Sequence, residues 1–598
     1  MCGIAVQLRF PKADPESVAR MTRALAHRGP DGEGVHADGP VAMGHRRLSI
    51  IDLAGGGQPM FNEDRSVAVV LNGEIYNYRE LTEALRSRHR LRTTSDTEVL
   101  VHLYEDLGTA MLPRLRGMFA FAIWDARRRR LFAARDRFGK KPLLYARHQD
   151  TLWLASELRA LVDGGAPTGG VDRDALADYL SLLYIPAPKT IWRGVRKLLP
   201  GHFLVADETN FTVQRYWAPP VPGEVHEAPP NAATRTRELL EESIRLRLRS
   251  DVPVGVLLSG GIDSSVVTAL AATASPNRLK TFCIGFGEAD DELPFARQIA
   301  NRFGTDHHEV IVREDVVEAT TRALSAFSEP FGDSSAVPSA EVFRQVAQQV
   351  KVVLTGDGGD EMFAGYGRYR QAAGLPSVPM LGPISWTLDR LPPIRVVRRA
   401  ARATRALSTR GDARYRALVE VFSAREVSTL IGRRAALQCH EGHTDADRAL
   451  AFDIGVYLPD DLLVKVDMTS MAWGLEARCP LLDHVLGDWV IPMPISAKQN
   501  RRRGKLLLHA AARNLLPGEV FSRPKRGFGS PVEVWLRGPL RALFCDTVMT
   551  KTARIRDWLA SERITSVGAR VLEGKGNGHQ AWALLALEQW ARNSQPVP

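Results

Sequence analysis

Residues 218–230 read APPVPGEVHEAPP, a proline-rich stretch with no hydrophobic period. Proline fixes φ and removes a backbone donor, so such a run ends helices and strands. The hydrophobic grammar differs on its two sides, and this restricts the chain more than any other feature. Before it come short strand-like runs at 3–8, 66–71 (SVAVVL), FAFAIWD and RLFAARD, the last two joined by a basic turn at 127–130. Helical patterns cover 15–26 and 76–107. After it, a helix over 234–249 carries Leu239, Leu240, Ile244 and Leu248 on one side, and a strand at 254–258 runs into a Gly/Ser turn and a helix. Further strands at 281–286, 308–312 and 352–355 alternate with helices, which argues for a parallel sheet covered on both faces. Beyond 367 the pattern is mostly helical, and its Arg-rich stretch 395–416 reads as solvated helix faces. The expected organisation is a first domain over 1–217, a linker over 218–231 and a second domain over 232–598, with no internal repeat.

A chain of 598 residues is too long for one core. With 44% hydrophobic and 25% charged residues it is neither a disordered chain, a coiled coil nor a collagen-like repeat. The net charge of +11 suits an anionic small substrate, and no RNA-binding motif accompanies it, so no nucleic-acid partner is expected. Cys2, Cys283, Cys439, Cys479 and Cys545 are too scattered for a disulfide framework or a cysteine zinc site. There is no signal-like leader and no apolar run approaching about 20 residues. A cytoplasmic protein without a membrane partner is expected.

Cys2 follows the initiator methionine. A small second residue permits removal of Met1, leaving an α-amino group beside a thiol. An α-amino group has a pKa of about 7.7–8.0 and can serve as base for its own side chain. Downstream come HRGPD at 27–31, GHRRLSIID at 44–52, LNGEIYN at 71–77 and SDTE at 95–98. This ordered set resembles the glutaminase domain of the class II, N-terminal-nucleophile glutamine amidotransferases, over nearly all of the first 160 residues. The resemblance implies an αββα sandwich. It makes Cys2 the nucleophile and gives the oxyanion site to Asn72 and the Gly73 N–H, where glycine lets the backbone approach the substrate. Arg47 would clamp the glutamine α-carboxylate, Asp96 and Glu74 would receive its α-ammonium, and Leu48 and Ile51 would complete the pocket.

The strand at 254–258 leads into SGGIDSS at 259–265 and then a helix, which makes an anion site from backbone N–H groups and the helix dipole. No Walker lysine motif exists in the chain. The loop resembles that of the ATP pyrophosphatases. Joined to VLTGDGGDEMFAGY at 353–366, LPDDLLVKVD at 458–467, AWGLEAR at 472–478 and RPKRGFG at 523–529, it resembles the synthetase domain of the glutamine-hydrolysing asparagine synthetases, over nearly the whole chain. A doubly wound parallel-sheet domain with a helical C-terminal part is implied, together with ATP and Mg²⁺. By resemblance Ser259, Gly260, Gly261, Ser264 and Ser265 cradle pyrophosphate. Asp263 and Asp360 hold Mg²⁺. Leu257, Ile284, Thr355 and Gly356 line the adenosine pocket. Lys525 neutralises charge as an acyl-adenylate forms and breaks, and Asp357 belongs to the catalytic set.

Two departures concern the acceptor. Asp357 stands where many of these synthetases carry Glu, and Met468 stands where relatives often carry Arg or Lys. The expected reaction amidates aspartate with ammonia from glutamine. The alternative keeps the chemistry and changes the acid to a sugar uronate, a cell-wall amino-diacid or a natural-product carboxylate. Cys2 with Arg47 and Asp96 argues against a β-lactam-synthetase-like cyclase, a branch that typically lacks a working glutaminase cysteine. Ammonia must stay unprotonated, so an apolar channel between the domains is expected. A homodimer is the family expectation.

Overall fold

The computed structural model describes residues 2–285, 292–311, 315–388, 395–436, 440–523 and 529–594. The first part is a four-layer sandwich around two six-stranded sheets. In one, the strands run in the order Val195–Lys197, Leu144–His148, Thr151–Ala155, Gly3–Arg9, Val41–Arg47 and Gly32–Asp38, all antiparallel. The other runs Phe211–Arg215, His202–Ala206, Arg130–Arg135, Gly117–Asp125, Val67–Ile75 and Met60–Phe61, also antiparallel.

Period-2 alternation sorts the faces. Ile4, Val6 and Leu8 of the first strand meet Ala68, Val70, Ala120 and Ala122 between the sheets. Ala5 points outward and packs with Val18, Met21 and Leu161 from the helices Pro15–Ala24 and Leu158–Asp163. On the opposite side, Val69, Leu71, Phe119 and Phe121 pack against Val99, Leu100, Leu103 and Tyr104 of the helix Glu98–Leu107. The long helical pattern expected over 76–107 is in fact two helices, Tyr78–Leu85 and Glu98–Leu107, with a loop between them. The Glu98 carboxylate explains the break. It accepts the N–H groups of Arg92 and Thr93, each at 2.7 Å, and the Thr93 hydroxyl at 2.6 Å, so the loop is tied to the helix start rather than continued as helix.

Residues 218–231 form neither helix nor strand, and the Val225 N–H donates to the Pro492 carbonyl at 2.9 Å. The second part holds a five-stranded parallel sheet in the order Asp306–Ile311, Lys280–Gly285, Val254–Leu257, Val352–Leu354 and Glu476–Arg478. The order reverses after Val254–Leu257, so a crevice opens beyond the carboxyl ends of that strand and Val352–Leu354, where α/β sheets bind ligands. Helices dominate after 359, including a π-helical stretch over Asp453–Leu462.

The Arg-rich segment is only in part the set of solvated faces expected of it: Arg399 and Arg410 are exposed, whereas other arginines turn inward. Arg414 is buried, donates to the carbonyls of Thr409 (2.9 Å) and Leu375 (2.8 Å), and pairs with Asp445 at 2.9 Å. Arg416 reaches Ser181 Oγ at 3.1 Å, and Arg398 donates to the Val421 carbonyl at 3.2 Å. Arg414 satisfies carbonyls at the ends of two helices, Gly367–Gly374 and Arg395–Ser408. No helix among the described residues is long and apolar enough to cross a membrane.

Two candidate active sites and the seam between them

Cys2 precedes the central strand of the first sheet, and Asn72-Gly73-Glu74 lies on the facing strand of the second. The sandwich brings them together. The Cys2 N–H, the nitrogen that becomes the α-amino group on loss of Met1, donates to Asn72 Oδ1 at 3.2 Å. Asn72 Nδ2 lies 3.5 Å from Ser156 Oγ, and that hydroxyl accepts the Ile4 N–H at 3.0 Å. Arg28, fully buried, donates from Nε to the Cys2 carbonyl at 3.1 Å. Gly73 has φ +144°, and a Cβ there would lie 2.0 Å from the Met118 carbonyl oxygen, so only glycine fits. Burial pushes the Cys2 thiol up to about 11, against a hydrogen bond from the Leu48 N–H that favours the thiolate. The sulfur is therefore a thiol at neutral pH and needs a base at the moment of attack.

Arg47 is fixed by carbonyls: Nη1 donates to Leu53 at 3.1 Å, and Nη2 to Asp52 at 2.5 Å and Ile51 at 3.3 Å. Asp52, at φ +51°, anchors this loop by accepting the N–H groups of Gly55 (2.7 Å) and Thr94 (2.8 Å). Asp96 Oδ2 accepts the Ile75 N–H at 2.8 Å, placing its carboxylate beside Glu74. Burial raises Asp96 to about 6, with the Glu476 carboxylate adding to it. Burial also raises Glu74 well above the carboxylate range, reinforced by Glu476 and Asp96. Glu476, although buried, is held low by Arg478. Three carboxylates thus share one guanidinium, a pocket that favours an added cation.

At the second site the Ser259 and Ser264 hydroxyls are 3.0 Å apart, and Ser264 Oγ also accepts the Ser259 N–H at 3.1 Å and donates to the Gly261 carbonyl at 3.2 Å. Gly260 sits at φ +69°, where a Cβ would meet Phe295 Cβ at 2.6 Å. Ser265 is buried in the first turn of the helix Ile262–Ala274. Leu257 ends one strand, Ile284 lies near the end of its neighbour, and Thr355-Gly356-Asp357 follows Val352–Leu354. A Cβ on Gly356 would be 3.0 Å from Asp263 Cβ, so the two loops touch. Burial raises the Asp357 carboxyl, opposed by Thr355 and Lys465.

Sequence reasoning missed Lys505. It is buried, and its Nζ pairs with Asp263 Oδ2 and, at 2.8 Å, with Asp360 Oδ1. It lies 242 residues from Asp263, and no local pattern marks it. Lys465 was likewise overlooked; its Nζ meets Asp333 Oδ2 at 2.6 Å and Ser335 Oγ at 2.7 Å. On that same helix Met468 packs into the hydrophobic core, so Lys465 supplies a cation there. Lys525 lies outside the described residues. Arg523 donates to the Ser259 carbonyl at 2.9 Å.

Ionic contacts join the two parts. Arg28 pairs with Glu157 (2.9 Å) in its own domain and with Asp467 (2.8 Å) across the seam. Lys141 reaches Asp467 at 3.2 Å, and Arg116 reaches Asp483 at 2.9 Å. Arg478, fully buried, meets Glu476 at 2.6 Å and Glu74 at 3.4 Å, while its own carbonyl accepts the Thr355 N–H at 2.9 Å. A cavity of about 10 Å³ lies in the seam, lined by Met118, Leu463, Val466, Ala477 and Cys479 but also by Lys140, Lys141 and Asp467. The wholly apolar lining expected of a channel is therefore not what this cavity has. Lys141 and Asp467 belong to the ionic contacts that hold the parts together, and Lys140 donates across the seam to the Leu482 carbonyl at 3.1 Å.

Residues 235–592 match the family model described as asparagine synthase, and residues 1–217 match that of a glutamine amidotransferase domain. Among relatives, asparagine synthetase [glutamine-hydrolyzing] 1 of Bacillus subtilis is 33% identical over 90% of this chain and 88% of its own. A putative asparagine synthetase [glutamine-hydrolyzing] of Mycobacterium tuberculosis is 35% identical over the same shares. Amidase chyE of Penicillium rubens is 30% identical over 95% of this chain and 93% of its own.

Proposed function

The chain belongs to the asparagine synthase family and carries a glutamine amidotransferase domain; from that premise we propose that it hydrolyses glutamine at Cys2 and uses the ammonia to convert aspartate to asparagine. The carboxylate is activated as an acyl-adenylate, with release of AMP and pyrophosphate. The observation that carries the reading is Arg478. Its side chain touches Glu74 in one pocket and its carbonyl holds Thr355 in the other, so a single residue spans both sites.

In the first half-reaction Arg47 orients the glutamine α-carboxylate, and Asp96 with Glu74 receives the α-ammonium. The liberated Cys2 amine takes the thiol proton as sulfur attacks the amide carbon. Asn72 and the Gly73 N–H stabilise the oxyanion, and the amine returns the proton to departing ammonia. Water then cleaves the thioester to release glutamate. In the second, the 259–265 loop holds the phosphates, and Leu257, Ile284, Thr355 and Gly356 line the adenosine pocket. Asp263 and Asp360 converge on one point, now spanned by Lys505, and as paired carboxylates they suit magnesium, which when bound would shield phosphate charge. Lys505 then faces pyrophosphate as the aspartate carboxylate attacks the α-phosphorus, and Lys525 is given the role of neutralising charge as the acyl-adenylate forms and breaks. Ammonia arriving through the seam displaces AMP. The reading places the enzyme in the cytoplasm as a homodimer.

Asp357 and the similarity to amidase chyE favour one second reading, the same chemistry on another carboxylate. Incubation with aspartate, glutamine and ATP·Mg²⁺ separates the two. Asparagine formed with equimolar AMP and pyrophosphate supports the first; glutamate release without asparagine refutes it and leaves the second.

A further inference from the structure

A cluster of metal-ligating side chains gathers on the outer side of the first domain, away from both sites. Glu63 follows the strand Met60–Phe61, His89 lies in the loop between the two helices, and His102 and Glu105 sit three apart on Glu98–Leu107. We propose that Glu63, His89, His102 and Glu105 form a tetrahedral site for a divalent transition metal of the zinc type, which clips the loop carrying Asp96 to that helix.

Their ligand atoms all lie within 4.8 Å of one another. The Nδ1 of His89 is 3.6 Å from Glu63 and 3.7 Å from Glu105, and the Nδ1 of His102 is 3.5 Å from Glu63 and 3.2 Å from Glu105. A tetrahedral zinc with bonds of about 2.0–2.1 Å has ligand–ligand edges of about 3.3–3.4 Å, and the three distances that share one atom per residue, from Glu105 Oε2 to each Nδ1 and from Glu63 Oε2 to His102 Nδ1, approach that figure. Two imidazoles with two carboxylates suit zinc rather than magnesium or calcium, which take oxygen ligands.

The far side of the ligands is also held. His89 Nε2 meets Asp106 Oδ1 at 3.1 Å, the carboxylate–histidine arrangement that orients metal-bound imidazole. Glu105 Oε1 accepts from Asn62 Nδ2 at 2.7 Å, and Glu63 Oε1 accepts the Arg90 N–H at 2.9 Å. His102 is 1% exposed, and its ring centroid lies 4.6 Å from that of His89. One divalent ion would face both Nδ1 atoms and both carboxylates at once.

The consequence is positional. Glu98 already ties Arg92 and Thr93 to the helix, next to Asp96. Metal at His89 fixes the beginning of the same loop.

The test uses the metal alone and does not depend on the glutaminase reading. Full-length protein stripped by a chelator is titrated with Co²⁺. One equivalent is expected to produce the intense visible bands of tetrahedral cobalt, and Zn²⁺ displaces them. His89→Gln and Glu63→Gln each abolish the bands, with melting curves showing that both variants fold. Asp106→Asn, at a residue whose Oδ1 faces the far nitrogen of His89 and whose Oδ2 pairs with Arg88 at 2.9 Å, lowers metal affinity by about 10–100-fold. No tetrahedral bands in the wild type would leave a hydrogen-bonded histidine–carboxylate cluster and overturn the proposal. Unchanged bands in both variants would place the metal at the cysteines or elsewhere, and overturn it equally.

Discussion

Asp96→Asn removes the charge that is proposed to receive the glutamine ammonium. Asp96 Oδ2 accepts the Ile75 N–H at 2.8 Å, and an asparagine oxygen can keep that bond, so position is retained while the negative charge is lost. Glu74 remains, but Arg478 already stands 3.4 Å from it. Removing one partner of a buried, hydrogen-bonded charge pair costs about 2–5 kcal/mol. At about 3 kcal/mol, kcat/KM for glutamine hydrolysis falls about 150-fold. Glutamate release gives this number, and ammonia-driven synthesis in the same preparation should be unchanged. The pH profile adds a second readout. Only ionised Asp96 receives an ammonium, and with its carboxyl raised to about 6, activity is lost as pH falls through that value. The Cys2 amine must also be deprotonated, and its ordinary pKa is about 7.7–8.0. Two required deprotonations make log kcat/KM fall with a slope of about two at low pH in the wild type and about one in Asp96→Asn. A loss under tenfold, equal slopes, or a parallel loss of ammonia-driven synthesis would refute the assignment.

Cys2→Ala should abolish glutamate release and keep synthesis from ammonia, measured as asparagine formed with each nitrogen source. Lys505→Met leaves Asp263 and Asp360 facing each other without their shared cation, and pyrophosphate release should drop by about 10²–10³-fold while glutamine hydrolysis persists. Gly73→Ala drives a Cβ to 2.0 Å from the Met118 oxygen at a φ of +144°, and should cost about 1–3 kcal/mol in a denaturation curve together with all glutamine hydrolysis. Arg478→Met strands Glu74 and Glu476 as buried carboxylates, and should destabilise the protein by about 3–5 kcal/mol and depress both half-reactions.

Local chemistry was legible in the sequence. Gly73 and the 259–265 loop carry their meaning in a few consecutive residues, because a positive φ or a fan of backbone N–H groups demands particular side chains nearby. The strands were legible wherever apolar residues alternate or cluster, as in 3–8 and 66–71. What escaped was set by distant partners. The helical pattern over 76–107 hid a loop held at Arg92 and Thr94 by Glu98 and Asp52. The strand Glu476–Arg478 has three residues, two of them charged, and stays buried at the edge of the sheet because Arg478 pairs with both Glu476 and Glu74. Lys505 drew no reading and the buried Arg414 read as surface charge, since nothing adjacent in sequence announces a carboxylate or carbonyl that arrives from elsewhere.

The central claim is that glutamine cleaved at Cys2 feeds the amide formed beyond the seam. Glutamine labelled with ¹⁵N at its amide, supplied with aspartate, ATP·Mg²⁺ and an excess of unlabelled ammonium, tests it in one experiment. Mass spectrometry should find asparagine carrying ¹⁵N in its amide, one for each AMP released. Asparagine carrying mainly unlabelled nitrogen, or none formed while glutamate accumulates, would contradict it.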